Sequence, residues 1–467
     1  MELKPYPEYK DSGVPWIPVL PSHWQTRKTK YLFGERVQKG YPNEPLLAAT
    51  QTKGVIPKTL YENRTVTAQK DLHLLKLVKK GDFVISLRSF QGGIEYAYYQ
   101  GIISPAYTVM IPSNDINPNY FKHLAKSKHF LSLLKICVTG IRQGQNIDYE
   151  RLKREMLPLP PKEEQEQIAC FLDYQMHQFS RFIRAKQRMI ALLNEQKQVI
   201  INQAVTKGID LSVKLKPSGV DYLGDIPEQW RKVKLCYFVN LLPGYAFPSS
   251  GFTHSNDDIR LLRGINISPG KMRWEQTVRW AAGECDSLIR YRLRPEDIVV
   301  GMDRPWVSKG MRVAVVEKED TPSLLLQRVS RLRATSPLKQ KYLQVLLSSN
   351  QFVEYFKPIL TGISVPHISP KQILSFHFAL PSENEQDSIL SFVENKTKWI
   401  SLSIAKIEQE ISQIRAYQTR LIADVVTGKI DVRDVPVEPI ADSEMEEPLP
   451  VEDTEELDVL EEISDAE

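Results

Sequence analysis

The chain has 467 residues, more than one hydrophobic core serves and enough for two or three domains. Hydrophobic residues at 42% and charged residues at 25% are the proportions of a globular chain, and no run of 18 apolar residues is present to span a bilayer. Lys and Arg number 61 against 57 Asp and Glu, but 15 of the acidic residues fall after Arg433, so residues 1–433 carry a net +19, which favours a polyanionic partner.

The opening MELKPYPEYK lacks the apolar stretch of a signal peptide. The four cysteines, Cys137, Cys170, Cys236 and Cys285, are far apart and lack metal-ligand spacing, so free thiols in a cytoplasmic protein are expected. Lys10, Ser12-Gly13-Val14, Pro21, Trp24 and Lys28 then read as a turn, a tryptophan and a short basic strand. The same pattern recurs 206 residues later as Lys216, Ser218-Gly219-Val220, Pro227, Trp230 and Lys234.

Between these edges lies a first middle, roughly 31–157. Gly81-Asp82-Phe83-Val84-Ile85-Ser86 reads as a turn entering a buried strand, Tyr107–Ile111 as a second strand, and Pro118–Lys135 as an amphipathic helix. The second middle keeps the order: Pro295-Glu296-Asp297 enters a strand through Val300, Arg312–Val316 is another strand, and Lys339–Tyr355 is a helix. Each helix is followed by a glycine-isoleucine pair and a polar loop, Gly140-Ile141 and Gly362-Ile363, and then by an apolar strand.

A long run of helix formers follows, Glu163–Thr206, without proline or glycine. Apolar residues recur at three- and four-residue steps: Met176, Phe179, Ile183, Ile190, Leu193 and Ile200, with Lys186 and Lys197 interrupting the seam. The second copy, 221 residues on, carries Ile400, Ile404, Ile407, Ile411, Ile414 and Leu421. A sustained heptad predicts two long helices paired in a coiled coil, with the lysines helping to fix register. Both end at a glycine, Gly208 and Gly428, and the second begins with a Ser382-to-Glu385 capping box. Pro160, Glu164 and Gln165 recur as Pro381, Glu385 and Gln386. Beyond Asp434 the prolines and acidic residues predict a disordered tail, which either aids solubility or folds back over a basic groove.

Catalytic motifs are missing. There is no phosphate loop, no dinucleotide fingerprint, no Asn or Asp before Pro-Pro-aromatic as in adenine methyltransferases, and no metal spacing among the eight histidines. Pro295-Glu296-Asp297 with Glu317 fits a metal-nuclease pattern poorly, because the following lysine is misplaced. Base-reading side chains are present instead. Arginine offers a bidentate fork to guanine, and asparagine or glutamine does so to adenine. Arg88, Ser89 and Gln91 follow one strand; Arg304, Trp306 and Lys309 follow its counterpart. Arg142, Gln143, Gln145 and Asn146 crowd one glycine-flanked loop, and Gln327, Arg328, Ser330, Arg331 and Arg333 alternate on a strand-like run. Lys28, Lys30, Lys232 and Lys234 suit phosphates, which position a protein without reading sequence.

The duplicated Ser-Gly-Val…Pro…Trp edge, Leu157-Pro158-Leu159-Pro160-Pro161 with Glu164-Gln165-Glu166-Gln167-Ile168, Ile102–Tyr107, and Thr361-Gly362-Ile363…Pro366-His367-Ile368 together resemble the specificity subunit of type I restriction-modification enzymes. The likeness covers about residues 9–431 and leaves out the acidic tail. It implies a mixed α/β fold: two α/β target-recognition domains in tandem repeat, separated by two long helices forming an antiparallel coiled coil. On that plan residues 1–160 are the first recognition domain, 161–208 the first spacer helix, 209–381 the second domain, 382–428 the second helix and 429–467 the tail. It implies a non-catalytic subunit that reads a split, asymmetric double-stranded DNA target, one domain per half-site, with helices that set the spacer. It also implies two methyltransferase subunits as partners, and two restriction-translocase subunits through them. No cofactor would bind this chain directly, S-adenosylmethionine being expected on the methyltransferase. The rival readings are a stand-alone nuclease or methyltransferase with a degenerate active site, and a coiled-coil scaffold that does not touch DNA.

Overall fold

The computed structural model describes residues 3–51, 53–60, 71–87, 89–139, 146–210, 212–275, 277–284, 286–307, 310–359 and 366–437. The chain divides into two compact units. Among the described residues, one holds those up to Lys186 together with Glu408–Val437, and the other holds Gln187–Ile407. Each long helix, Lys162–Lys207 and Glu383–Val426, therefore contributes to both units.

In the first unit a four-stranded antiparallel sheet runs in the order Phe33–Glu35, Thr108–Pro112, Phe83–Ile85, Glu95–Tyr96. The second unit builds the same sheet from Val239–Pro243, Val329–Ala334, Ile298–Gly301 and Val313–Val315. The strand-entry turns match as well. Asp82 and Asp297, 215 residues apart, are both buried, and each accepts a backbone N–H at 2.8 Å, from Lys79 and Arg294. Each also takes a two-pronged arginine: Arg36 at 2.7 and 3.0 Å, Arg333 at 2.5 and 2.9 Å. A buried carboxylate survives only when so paired. Asp297 is thus part of an internal ion pair with Arg333.

The sequence edge motifs act through the two long helices. Trp24 and Trp230 are buried, and their indole Nε1–H groups donate to Glu164 at 2.9 Å and to Glu385 at 3.2 Å. The next helix residue closes a second joint. Gln165 accepts from the Asn117 N–H at 2.7 Å and donates to the carbonyls of Asp115 and Pro160 at 3.1 and 2.9 Å. Gln386 repeats this with the Lys339 N–H at 2.9 Å and the carbonyls of Pro337 and Pro381 at 2.9 and 3.2 Å. The far ends of the helices meet the same tryptophans. Gly208 and Gly428 adopt φ +76° and +72°, and a Cβ would lie 3.3 Å from the Trp230 ring and 3.2 Å from the Trp24 ring. Position 428 is the tighter of the two, because that Cβ would also lie 2.4 Å from Pro21.

The helices pair antiparallel. In the first unit Phe179 meets Tyr417 edge-on at 5.7 Å, and Lys186 pairs with Glu410 at 2.8 Å. In the second, the Lys197 ammonium donates to Ser401 Oγ at 3.1 Å, and burial lowers its pKa. Of the predicted seam, Ile183, Leu193, Ile400, Ile407, Ile411 and Leu421 are buried, and Met176, Phe179, Ile190, Ile200, Ile404 and Ile414 are half-buried. Near the first helix's end the buried position is Ile201 rather than Ile200, as the straight-helix period of 3.6 drifts from the 3.5 of a strict heptad.

Three expectations need correction. Pro118–Lys135 is two helices, Pro118–Leu124 and Lys128–Ile136, because the Ser127 hydroxyl accepts from the Phe130 N–H and starts a new one. Lys339–Tyr355 is likewise Gln340–Leu347 and Asn350–Phe356, broken where the Ser348 and Ser349 hydroxyls bond the carbonyls of Gln344 and Leu346. Residues 429–437 are not a tail. Val432 is buried, Val435 and Val437 pack on the first unit's core, and the Asp431 N–H donates to the Lys4 carbonyl at 2.8 Å. The acidic stretch from 438 onward lies outside the described residues.

Candidate nucleic-acid interface

Each unit brings the loop after its central strand to the segment that follows the glycine-isoleucine pair. In the first unit the helix Ser89–Gly92 approaches the short strand Asn146–Ile147. In the second, the Arg304 N–H donates to the Pro366 carbonyl at 2.7 Å, and the Ile368 N–H to the Met302 carbonyl at 2.9 Å. Segments far apart in sequence thus form one surface in each copy.

Within the first surface Gln91 is exposed. Ser89 is buried, its Oγ accepting the Ser86 N–H at 2.8 Å, so it shapes the turn rather than facing a ligand. Asn146 is half-buried and its Oδ1 accepts from the Ile147 N–H at 2.9 Å. Arg88, Arg142, Gln143 and Gln145 lie outside the described residues, as does Lys309 in the second surface. Lys126 was not singled out from sequence. Its ammonium donates to the carbonyls of Gln51 and Gly92, at 3.0 and 2.8 Å, and to Glu95 Oε1 at 2.6 Å, tying that loop down.

Burial lifts the Glu95 carboxyl from its ordinary 4.5 up to about 7, against the pull of Lys126. A carboxyl whose folded pKa exceeds its unfolded value takes up a proton on folding, so its contribution weakens as pH rises from about 4.5 to about 7. Glu95→Gln is expected to flatten stability across that window and to raise it above pH 7 relative to the parent. Urea midpoints at pH 5 and pH 8 measure this, and an unchanged pH difference counts against it.

In the second unit Gln327 and Arg328 form an exposed turn, with Arg328 in the left-handed region at φ 66°. Of the strand-like run 327–333, only the part from Val329 is strand. Ser330 and Arg331 are buried. The Arg331 guanidinium reaches Asn240 Oδ1 and the Arg290 carbonyl, each at 3.4 Å, and its pKa is lowered, first by burial and then by Arg333. Trp306 packs against the core and pairs with Met311. Arg304 is half-buried at φ 43°. Of the candidate phosphate lysines, Lys28, Lys232 and Lys234 lie on strands and Lys30 in the short helix Thr29–Leu32; Lys28, Lys30 and Lys232 are exposed and Lys234 is half-buried. Asp303 and His367 are not among the base-reading candidates, yet they hold this surface together: Asp303 is buried and contacts Arg328 at 2.9 Å and His367 at 2.5 Å.

No helix among the described residues is long and apolar enough to cross a membrane. Residues 21–193 match the family model of the type I restriction modification DNA specificity domain. The specificity subunit of the type I restriction enzyme MjaVIII from Methanocaldococcus jannaschii is 26% identical over 77% of this chain and 81% of its own length. That of EcoAI from Escherichia coli is 35% identical over 38% of this chain and 31% of its own length. Among solved structures, a chain from work titled as the structural basis of complex assembly and conformational transition of the type I R-M system aligns over 88% of this chain and 99% of its own length. Its TM-score is 0.53 at 15% identity, a likeness of fold. The repeated edges, the paired helices, the matching sheets and these similarities agree in likening the chain to the DNA-specificity subunits of type I restriction enzymes.

Proposed function

We propose that this subunit reads a split, asymmetric DNA target, each unit reading one half-site. The observation that supports this is a duplicated framework carrying unlike reading surfaces. Sheets, aspartate turns, tryptophan joints and helices repeat, while the loops after the central strands differ in length and residues. Identical scaffolds with unlike surfaces suit two unlike sequences. In this reading residues 1–160 and 209–381 are the recognition domains, and 161–208 and 382–428 the spacer helices. Gln91, Asn146, Arg304, Gln327 and Arg328 contact bases, along with Arg88, Arg142, Gln143, Gln145 and Lys309. The exposed Lys28, Lys30 and Lys232 meet phosphates. Two methyltransferase subunits, holding S-adenosylmethionine, and through them two restriction subunits, complete the assembly.

Methylome sequencing of a host expressing the whole system tests this. A two-part, non-palindromic motif is expected, and a palindrome or a continuous motif would contradict it. Binding of residues 1–437 with the methyltransferase to duplex DNA is expected to weaken by roughly 10³-fold or more between 50 and 200 mM salt, as release of several counterions requires. Titration by fluorescence anisotropy measures that slope, and a flat response would exclude phosphate-driven binding.

A further inference from the structure

In the second unit three separate segments meet at one carboxylate. Asp303 is buried, and its Oδ2 accepts from Arg328 Nη1 at 2.9 Å while its Oδ1 contacts His367 Nδ1 at 2.5 Å. The backbones are tied at the same point. The Met302 N–H donates to the Arg328 carbonyl at 2.9 Å, Asp303 bridges His367, and the Gln327 N–H donates to the Tyr245 carbonyl at 2.9 Å. Arg304 and Arg328 both hold positive φ, a conformation that L residues rarely adopt and that persists only where the surroundings over-determine it. The acid is inside, whereas the Arg328 and His367 side chains are 53% and 41% exposed.

A point-charge contact to phosphate needs no such fixing, whereas a fork that reads a base edge does, because bidentate geometry depends on the angle of the guanidinium plane. We propose that Asp303 is a positioning residue that orients Arg328 toward the major-groove edge of a guanine, with His367 holding Asp303 from its other oxygen. This rests on the reading that the second unit recognises one half-site.

The test is methylation of a randomised DNA library by the complex reconstituted with its methyltransferase partner, followed by motif recovery. Recovery of a two-part motif by the parent complex judges the half-site reading separately. Arg328→Ala is expected to reduce discrimination at one base pair of one half-site by roughly 5- to 150-fold. Asp303→Asn is expected to relax the same base pair, and the double variant to do no more than Arg328→Ala alone. If Arg328→Ala relaxes that position and Asp303→Asn leaves the motif intact, the positioning role is overturned. If Arg328→Ala leaves the motif intact, the reading role falls with it. Should Asp303→Asn lower the melting temperature and depress all sequences alike, His367→Gln decides. Relaxation at the same base pair supports the proposal, and an unchanged motif rejects it.

Discussion

Gln386→Ala is expected to destabilise the second unit by about 3 kcal/mol, since three backbone groups lose their partner and each unpaired buried group costs roughly 1–3 kcal/mol before relaxation. Gln386 is fully buried and satisfies the Lys339 N–H and the carbonyls of Pro337 and Pro381 at once. Alanine leaves all three facing a cavity in which any water that enters replaces only part of the network. Gln165→Ala makes the matched change in the first unit, where the Asn117 N–H and the carbonyls of Asp115 and Pro160 are released. Urea unfolding followed by tryptophan fluorescence reports both. A loss below about 1 kcal/mol in each would show that these glutamines are not the joints between helix and sheet.

The larger effect is expected at the helix seam. Ile400 is fully buried in the second unit. Ile400→Asp removes an apolar side chain worth roughly 2–5 kcal/mol and asks the interior to accept an unpaired carboxylate. The expected loss is about 4 kcal/mol or more, enough to consume much of an ordinary domain's stability. Ile400→Asn, without the charge, should cost less, and Ile400→Val only about 1 kcal/mol. Circular dichroism melting and co-purification with the methyltransferase are the readouts. Unchanged melting for Ile400→Asp would mean that this seam is not packed as described.

The framework was legible from sequence because its signals are periodic and duplicated. Heptad spacing locates Ile183, Leu193, Ile400 and Ile407 without reference to any fold, and the repeat pairs Trp24 with Trp230 and Gln165 with Gln386. What those paired residues do was not legible, since a glutamine's partners are backbone groups some fifty residues away. The proposed reading surfaces were the least legible part. A cluster such as Gln327–Arg333 looks uniform as a string, yet a turn at Arg328 and a strand from Val329 send its members in different directions: Arg333 to the internal Asp297, Arg331 inward, Arg328 to Asp303. Asp303 and His367 are single residues brought together by the folding of loops, and no spacing rule anticipates them.

The packing of residues 426–437 on the first unit has a consequence for synthesis on the ribosome. Tyr120 donates to the Val426 carbonyl at 3.1 Å, and Gln167 donates to the Val432 and Val435 carbonyls at 2.9 and 2.7 Å. The segment Gln187–Ile407 is continuous, so the second unit has all its parts while the last helix is still being made. The first unit, although translated earliest, waits with an open apolar face until Val432 leaves the exit tunnel. A premature stop upstream of that residue therefore harms the beginning of the chain, and a nascent polypeptide of 400 residues is the form a chaperone would be expected to hold.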